Sequence, residues 1–294
     1  MRNLITTCFL VIVTLSCAES VRPQTPAPIL LTEQNSQRAI AVDSVTFVRD
    51  PLPVVNSHNL SQSRRTRLAL FGINLDLMPG ENASAVTARA RDSRSRTHTL
   101  IVEFVGKIPN VGLTQVVVRL PDELAQAGEV WISVTLRGQT SNEVLFNVEV
   151  QTEPRRVTLA ARRVINGVDN YVDATFSFEF GINGESARIF TRNDWDILFG
   201  NSPDEDNFQV SMVGDDCSRI QDMGALDWTD TFQVPILPAY PVPTIEPHVR
   251  AIVGHMYVVH TKDTETNLYA LFRVEALDPL VSVTISWKSI QSPE

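Results

Sequence analysis

The chain has 294 residues, with 25 Lys and Arg against 34 Asp and Glu and a net charge of −9. A hydrophobic share of 43% beside 20% charged residues is a globular composition, which excludes a disordered, collagen-like or coiled-coil chain. The negative balance removes the default case for a nucleic-acid partner, which needs a basic field against phosphate.

Residues 1–18 read as a secretory signal peptide. Arg2 supplies the positive start, and Leu4 to Leu15 is an apolar run broken only by Thr6, Thr7 and Thr14. Ser16 and Ala18 then precede a cleavage point after Ala18. The run is too short to cross a bilayer core as a helix, which takes about 20 residues, and no later segment reads as a transmembrane span. A buried N-terminal element is the competing reading; the polar, proline-spaced stretch that follows would leave it without close neighbours. In a lipoprotein variant Cys17 becomes the acylated first residue and a lipid anchor, with Ser16 before it as that processing wants. Leu15 and Thr14 depart from the usual pattern there. Cleavage after Ala18 removes Cys8 and Cys17 and leaves Cys217 as the only thiol. No internal disulfide can then form, and core burial must hold the fold. Cys217 reads as a buried small hydrophobe, because neighbouring Asp215 and Asp216 would raise a thiol pKa rather than activate it.

Residues 19–44, with Pro23, Pro26 and Pro28, read as an extended lead-in. From residue 45 to 150 the pattern is one of short apolar segments of period two. Leu100–Phe104 and Gln115–Leu120 are two of them, and Val130, Ile132, Val134 and Leu136 alternate with Trp131, Ser133, Thr135 and Arg137. Alternate side chains on a strand face opposite ways, so each such segment offers one face to a core. Turn chemistry interrupts at Pro79-Gly80, Pro109-Asn110, Ala127-Gly128 and Arg137-Gly138, and Leu120–Ala125 suits one short helical turn. Strands this short, with turns about every ten residues, predict a β-sandwich.

The strand pattern lapses near 151–156, where Pro154 marks a domain boundary, and residues 155–294 form a second all-β domain. Phe176, Phe178 and Phe180 alternate with Ser177 and Glu179. Met256–Thr261 and Leu268–Val274 read as a hairpin, and Val281, Val283, Ile285 and Trp287 close the chain as a strand. Residues 233–247 hold Pro235, Pro238, Pro241, Pro243 and Pro247, a rigid extended crossing. Residues 19–150 carry 13 basic and 13 acidic groups, whereas 151–294 carry 11 basic and 21 acidic, so the acidity belongs to the second domain. Arginine concentrates in the first, at Arg64, Arg65, Arg67 and at Arg89, Arg91, Arg94, Arg96. Opposite patches either dock the two domains or remain solvated surface; the second is the commoner case.

Two resemblances follow from these strands. The run Val105-Gly106-Lys107-Ile108-Pro109-Asn110-Val111-Gly112-Leu113-Thr114-Gln115-Val116-Val117-Val118-Arg119-Leu120-Pro121, then Ala127-Gly128-Glu129-Val130 and Ser141-Asn142-Glu143-Val144, resembles the end of an Ig-like (IPT/TIG-type) domain of secreted bacterial proteins. Lys107 to Asn110 departs from the Pro-Gly turn usual there. The likeness spans 45–150 and implies a spacer or adhesion module without catalytic residues. The second domain resembles the HmuY-like bacterial surface haem-binding family. It does so through Phe176-Ser177-Phe178-Glu179 with Gly181, Trp195–Phe199, Gly254–Thr261, Ala270–Val274 and Val283–Trp287. These are fold-defining strands, so the likeness implies an all-β domain before it implies haem.

His248, His255 and His260 are the candidate haem or metal ligands, since histidine is the usual axial donor. His255 and His260 are an odd number of residues apart on one predicted strand and should face opposite ways, leaving His248 with His255, or His260 with Met256, as possible pairs. The plainer alternative is surface or cross-strand histidines. Asp204, Glu205 and Asp206, with Asn207, Asp215 and Asp216, are calcium candidates by ligand hardness, but they lack the spaced order of a known loop, and a solvated acidic turn is the commoner reading. Asp227 and Asp230 could serve glycoside hydrolysis, and Trp131, Trp195, Trp228 and Trp287 could stack sugars, although tryptophans at strand spacing usually belong to cores. No hydrolase, zinc-protease or nucleotide motif accompanies them. The sequence therefore leads to an exported, non-enzymatic binding or interaction module of a bacterial surface or secreted fraction. Its partner is an unnamed protein or surface ligand, and no cofactor is required. A haem-binding protein is the alternative and a secreted hydrolase the distant one.

Overall fold

The computed structural model describes residues 26–56, 58–59, 61, 63–183, 195–201, 204–213, 216–237, 248–262 and 266–293. The signal segment with Cys8 and Cys17, Asp215, the side chains of Asp216 and Cys217, and Pro238, Pro241, Pro243 and Pro247 lie outside what is described. The regular secondary structure of the described residues is nearly all antiparallel β.

Among the described residues, nine strands form the first sheet. They are β1 (Ile29–Leu30), β2 (Ala41–Asp43), β3 (Arg67–Ile73), β4 (Val86–Asp92), β5 (Thr97–Lys107), β6 (Thr114–Arg119), β7 (Glu129–Leu136), β8 (Gln139–Thr140) and β9 (Val144–Asn147). The order is β1-β3-β6-β5-β4-β7-β8, with β2 also on β3 and β9 also on β7. The residues expected as an extended lead-in thus supply β1 and β2. Strand β7 shows the alternation at work: Val130, Ile132, Val134 and Leu136 are buried while Trp131, Ser133 and Thr135 are half-exposed. Long β5 changes partner along its length. Thr97–Leu100 pair with β4 and Ile101–Lys107 with β6, with a bulge between Val102 and Phe104 just inside the β6 pairing. Bridges from Arg38 to Leu145 and from Leu52 to Val148 tie the β2 side to β9. One buried cluster therefore draws side chains from both arms, among them Leu68, Leu70, Val116, Val118, Ala88, Ile132, Val134 and Phe146. A 3-10 turn at Asp122–Leu124 stands where a short helical turn was expected.

The second unit begins with β10 (Arg155–Ala160), the hairpin β11 (Val164–Ile165) and β12 (Val168–Asp169), and a single helical turn at Tyr171–Ala174. Then come β13 (Thr175–Ser177), β14 (Ile182–Asn183), β15 (Ile197–Phe199), β16 (Asn207–Val210) and the hairpin β17 (Met212–Val213) and β18 (Asp216–Cys217). It closes with β19 (Arg219–Ala225), β20 (His248–Arg250), β21 (His255–Lys262), β22 (Asn267–Asp278) and β23 (Ser282–Ile290). Two five-stranded sheets result among the described residues, β10-β23-β22-β21-β19 and β14-β13-β15-β16-β20. Phe176, Ile197, Phe199 and Phe208 from one share a fully buried core with Tyr257, Phe272, Val283 and Ile285 from the other. The rings pack edge to face or stacked, Phe208 and Tyr257 each 4.9 Å from Phe272.

Strands β21 and β22 are buried on both faces, which explains their near-continuous apolar sequence. Tyr257 and Val259 face the inter-sheet core, while Met256, Val258, Tyr269 and Leu271 are covered by the irregular segment 226–237. Leu226, Trp228, Phe232, Val234 and Leu237 make this strap, and Trp228 Nε1 donates to Ser286 Oγ at 2.7 Å.

Candidate functional site

The three histidines do not converge. His248 lies exposed on β20, at the edge of one sheet, and His255 and His260 sit towards opposite ends of β21 in the other. His255 Nδ1 is 3.0 Å from both oxygens of Asp222 on the neighbouring β19. His260 is 5% exposed and stacks on Tyr269, with ring centroids 4.2 Å apart. Both of its nitrogens face oxygen atoms, Nδ1 the Leu237 carbonyl at 2.6 Å and Nε2 Asn267 Oδ1 at 2.8 Å. It anchors the end of the strap. The acidic turn is likewise bound into the fold: Asp206 accepts from the Leu280 N–H at 2.7 Å and Glu205 from Asn207 Nδ2 at 3.3 Å, while Asp204 is exposed. Among the described residues no group of three or more His, Cys, Asp or Glu is arranged to hold a metal ion.

The remaining candidates are also occupied. Asp227 and Asp230 close a turn on each other, Asp230 Oδ2 accepting from the Asp227 N–H at 2.7 Å. Trp287 and Trp195 are buried, and Trp131 carries the Arg91 guanidinium over its ring at 5.9 Å.

What the structure does assemble is a seam between the two units, built around Arg65. This side chain is 5% exposed. Its Nε and Nη2 lie 2.7 and 2.8 Å from the two oxygens of Asp122 in the 3-10 turn of the first unit. Its Nη1 meets Glu179 Oε1, in the turn that follows β13 of the second unit. From the second unit the Asn267 N–H donates back to Asp122 Oδ2 at 2.6 Å and Asn267 Nδ2 to Glu123 at 2.9 Å. Thr266 Oγ1 donates to Glu179 Oε2 at 2.7 Å. Arg64 adds a guanidinium 4.8 Å above the Phe180 ring. One cation thus faces two carboxylates in a nearly dry site. Burial pushes both carboxyls up; Arg65 offsets this, and Glu179 still stands at about 7 against its ordinary 4.5.

A second contact closes the other side of the seam. Asp92 is fully buried and accepts from Arg96 Nε at 2.8 Å and from Gln291 Nε2 at 3.0 Å, with His98 Nε2 3.2 Å away. Burial opposes the charge on Asp92, but the Arg96 N–H and guanidinium and His98 outweigh it and hold the carboxyl below its usual range. Arg94 and Arg96 each donate to the Ser292 carbonyl at 3.0 Å. The first unit's arginines therefore divide: Arg64, Arg65, Arg94 and Arg96 reach across the seam, whereas Arg67 pairs with Glu103 and Arg91 with Glu143 inside their own unit.

Two hollows flank the ion cluster. A cavity of about 250 Å³ lies between Val54, Gln126 and Gln151 on one side and Phe178, Phe180 and Trp287 on the other. An open cleft of about 650 Å³ is lined by Ser63, Arg67, Arg119, Glu123, Lys262 and Asn267, and the buried Ser63 hydroxyl there has no hydrogen-bond partner among the described residues. No local motif marked this site, because Asp122 is 57 residues and Glu179 114 residues from Arg65. The expectation that opposite charge could dock the domains was the only available signal. No family model matches the chain, and neither a curated protein nor a solved structure matches it.

Proposed function

We propose that the chain is an exported, non-enzymatic binding protein, in which an Ig-like (IPT/TIG-type) first unit and a HmuY-like second unit present one composite surface. The observation that carries this reading is the seam. A buried Arg65–Asp122–Glu179 cluster holds the units together beside an aromatic-walled cavity to which both contribute. Cavities with an apolar wall and a few converging polar groups, one with a displaced pKa, are where ligands are usually held. The seam supplies Phe178, Phe180 and Trp287 as walls and Glu179, Gln126 and Gln151 as polar groups. Haem draws no support from the histidines, whose described neighbours are Asp222, Leu237 and Asn267.

The test is a thermal-shift panel on the mature chain, using oligosaccharides, haem and short peptides, repeated on Phe180→Ala. A ligand that stabilises the wild type and not the variant places binding at the seam. Equal stabilisation of both by every ligand that binds would place it elsewhere and sink the proposal.

A further inference from the structure

The geometry points to a proton-linked seam: closing the two units on each other takes up one proton at the Glu179 carboxyl, so the seam tightens in acid and loosens as the surroundings turn neutral. This goes beyond the binding function proposed above and does not depend on it.

Three observations carry the inference. The first is charge count. Arg65, Asp122 and Glu179 have side chains 5%, 5% and 9% exposed, so one positive and two potential negative charges are removed from water together. A single guanidinium can neutralise one carboxylate, and the surplus anion is costly in a site this dry. The second is the division of donors. Arg65 sets two nitrogens against Asp122, Nε 2.7 Å from Oδ1 and Nη2 2.8 Å from Oδ2, but only Nη1 against Glu179, whose other oxygen has the uncharged Thr266 hydroxyl. The cation is committed mainly to Asp122, so the proton goes to Glu179. The third is location. Arg65 and Asp122 belong to the first unit and Glu179 to the second, so the proton acts on the joint and not within either core.

The surroundings do not reverse this balance. Among the described residues, the charged groups around the cluster are Arg64 over Phe180, Arg155 beside Trp287, Glu123 and Glu149 at the hollows, and Arg67, Arg119 and Lys262 along the open cleft, where Arg67 and Arg119 both meet Glu103. Glu123 already bonds Asn267, and the three cleft cations line a hollow whose walls do not include Glu179. In a separated unit Glu179 would stand in water at its ordinary 4.5, whereas in the closed seam burial holds it at about 7. Between those values the closed form keeps a proton that the open form has lost. The sign is therefore fixed: closure is fully favoured below the lower value and weakens as pH rises through the upper one, by roughly 70-fold between pH 5 and pH 8.

Hydrogen exchange of the full mature chain, read by mass spectrometry and corrected for intrinsic exchange at each pH, tests this directly. Seam peptides containing Asp122–Leu124, Phe178–Gly181 and Asn267–Tyr269 should lose protection by roughly 70-fold from pH 5 to pH 8. Peptides from β7 and the middle of β22 should hold theirs. Glu179→Gln should flatten the seam profile to within about twofold. Should that variant fold poorly, Thr266→Val serves instead: it removes a donor to ionised Glu179 and should move the transition to higher pH. A flat wild-type profile, an unchanged slope in Glu179→Gln, an unmoved transition in Thr266→Val, or parallel losses in the core peptides would each overturn the inference.

Discussion

Replacing Arg65 by Met is the sharpest perturbation of the seam. Methionine keeps much of the length and apolar stem of the side chain but removes the cation lying against two carboxyls, themselves 5% and 9% exposed. Breaking a buried ion cluster from one side costs about 3–5 kcal/mol, because the partners are left charged and unsatisfied. The value at pH 8 should lie at the upper end, since Glu179, raised to about 7, is then ionised in the same dry site. At pH 5 Glu179 already carries its proton and no longer needs the cation, so the loss should shrink. The assay is urea unfolding followed by tryptophan fluorescence, with Trp287 lining the seam cavity as a reporter. Exchanging the whole cluster, Arg65→Met with Asp122→Leu and Glu179→Met, should recover most of the stability, because an apolar filling of similar volume is often neutral. A single-variant loss below about 1 kcal/mol at pH 8, the range of exposed ion pairs, would refute the claim that Arg65 is the neutralising charge of a dry site.

Three further outcomes can be measured by the same unfolding assay. Phe47 is 74% exposed with a φ of 58°, and its turn is held by fully buried Asp43, which accepts from the Val45 and Thr46 N–H groups and from Asn56. Phe47→Gly should therefore stabilise the fold by about 1 kcal/mol, since a left-handed backbone penalises any Cβ; a loss instead would show that the ring is held by contacts. Gly200 has a φ of 68°, and an added Cβ would meet Ala161 Cβ at 2.8 Å and its Cα at 3.1 Å. Gly200→Ala should cost about 2 kcal/mol or more, from strain and overpacking together, and a change below 0.5 would contradict that packing. His260→Ala removes two hydrogen bonds and a stacked ring under the strap and should cost about 2–4 kcal/mol; a neutral result would mean that the strap end is not anchored there.

How far the chain could be read from its letters depends on range. Where one strand supplies its own periodicity, as in β7 or the β21–β22 hairpin, alternation or an unbroken apolar run states the burial directly. Strands β1 and β2 are two and three residues long, too short to show a period, so proline spacing suggested an extended lead-in and the pairing with β3 stayed hidden. The histidines were singled out for what imidazole can do, but His260 faces the strap and Asn267, partners set by tertiary structure.

The seam is the limiting case of the same rule. Arg65 stands in an arginine-rich stretch, Asp122 in a turn and Glu179 beside a run of phenylalanines, and none of these neighbourhoods is unusual. Their chemistry arises when chain closure brings them together and excludes water, because at close range a charge pair that counts for little in solvent becomes one of the larger electrostatic effects in the protein. A net charge of −10 on the second half could have meant only solubility. Instead, one of those acids, Glu179, is withdrawn from solvent and set against a cation of the neutral half. Which acid is chosen is decided by the turn after β13, where Phe178 and Phe180 enter the cavity wall and carry the intervening carboxyl into the joint with them.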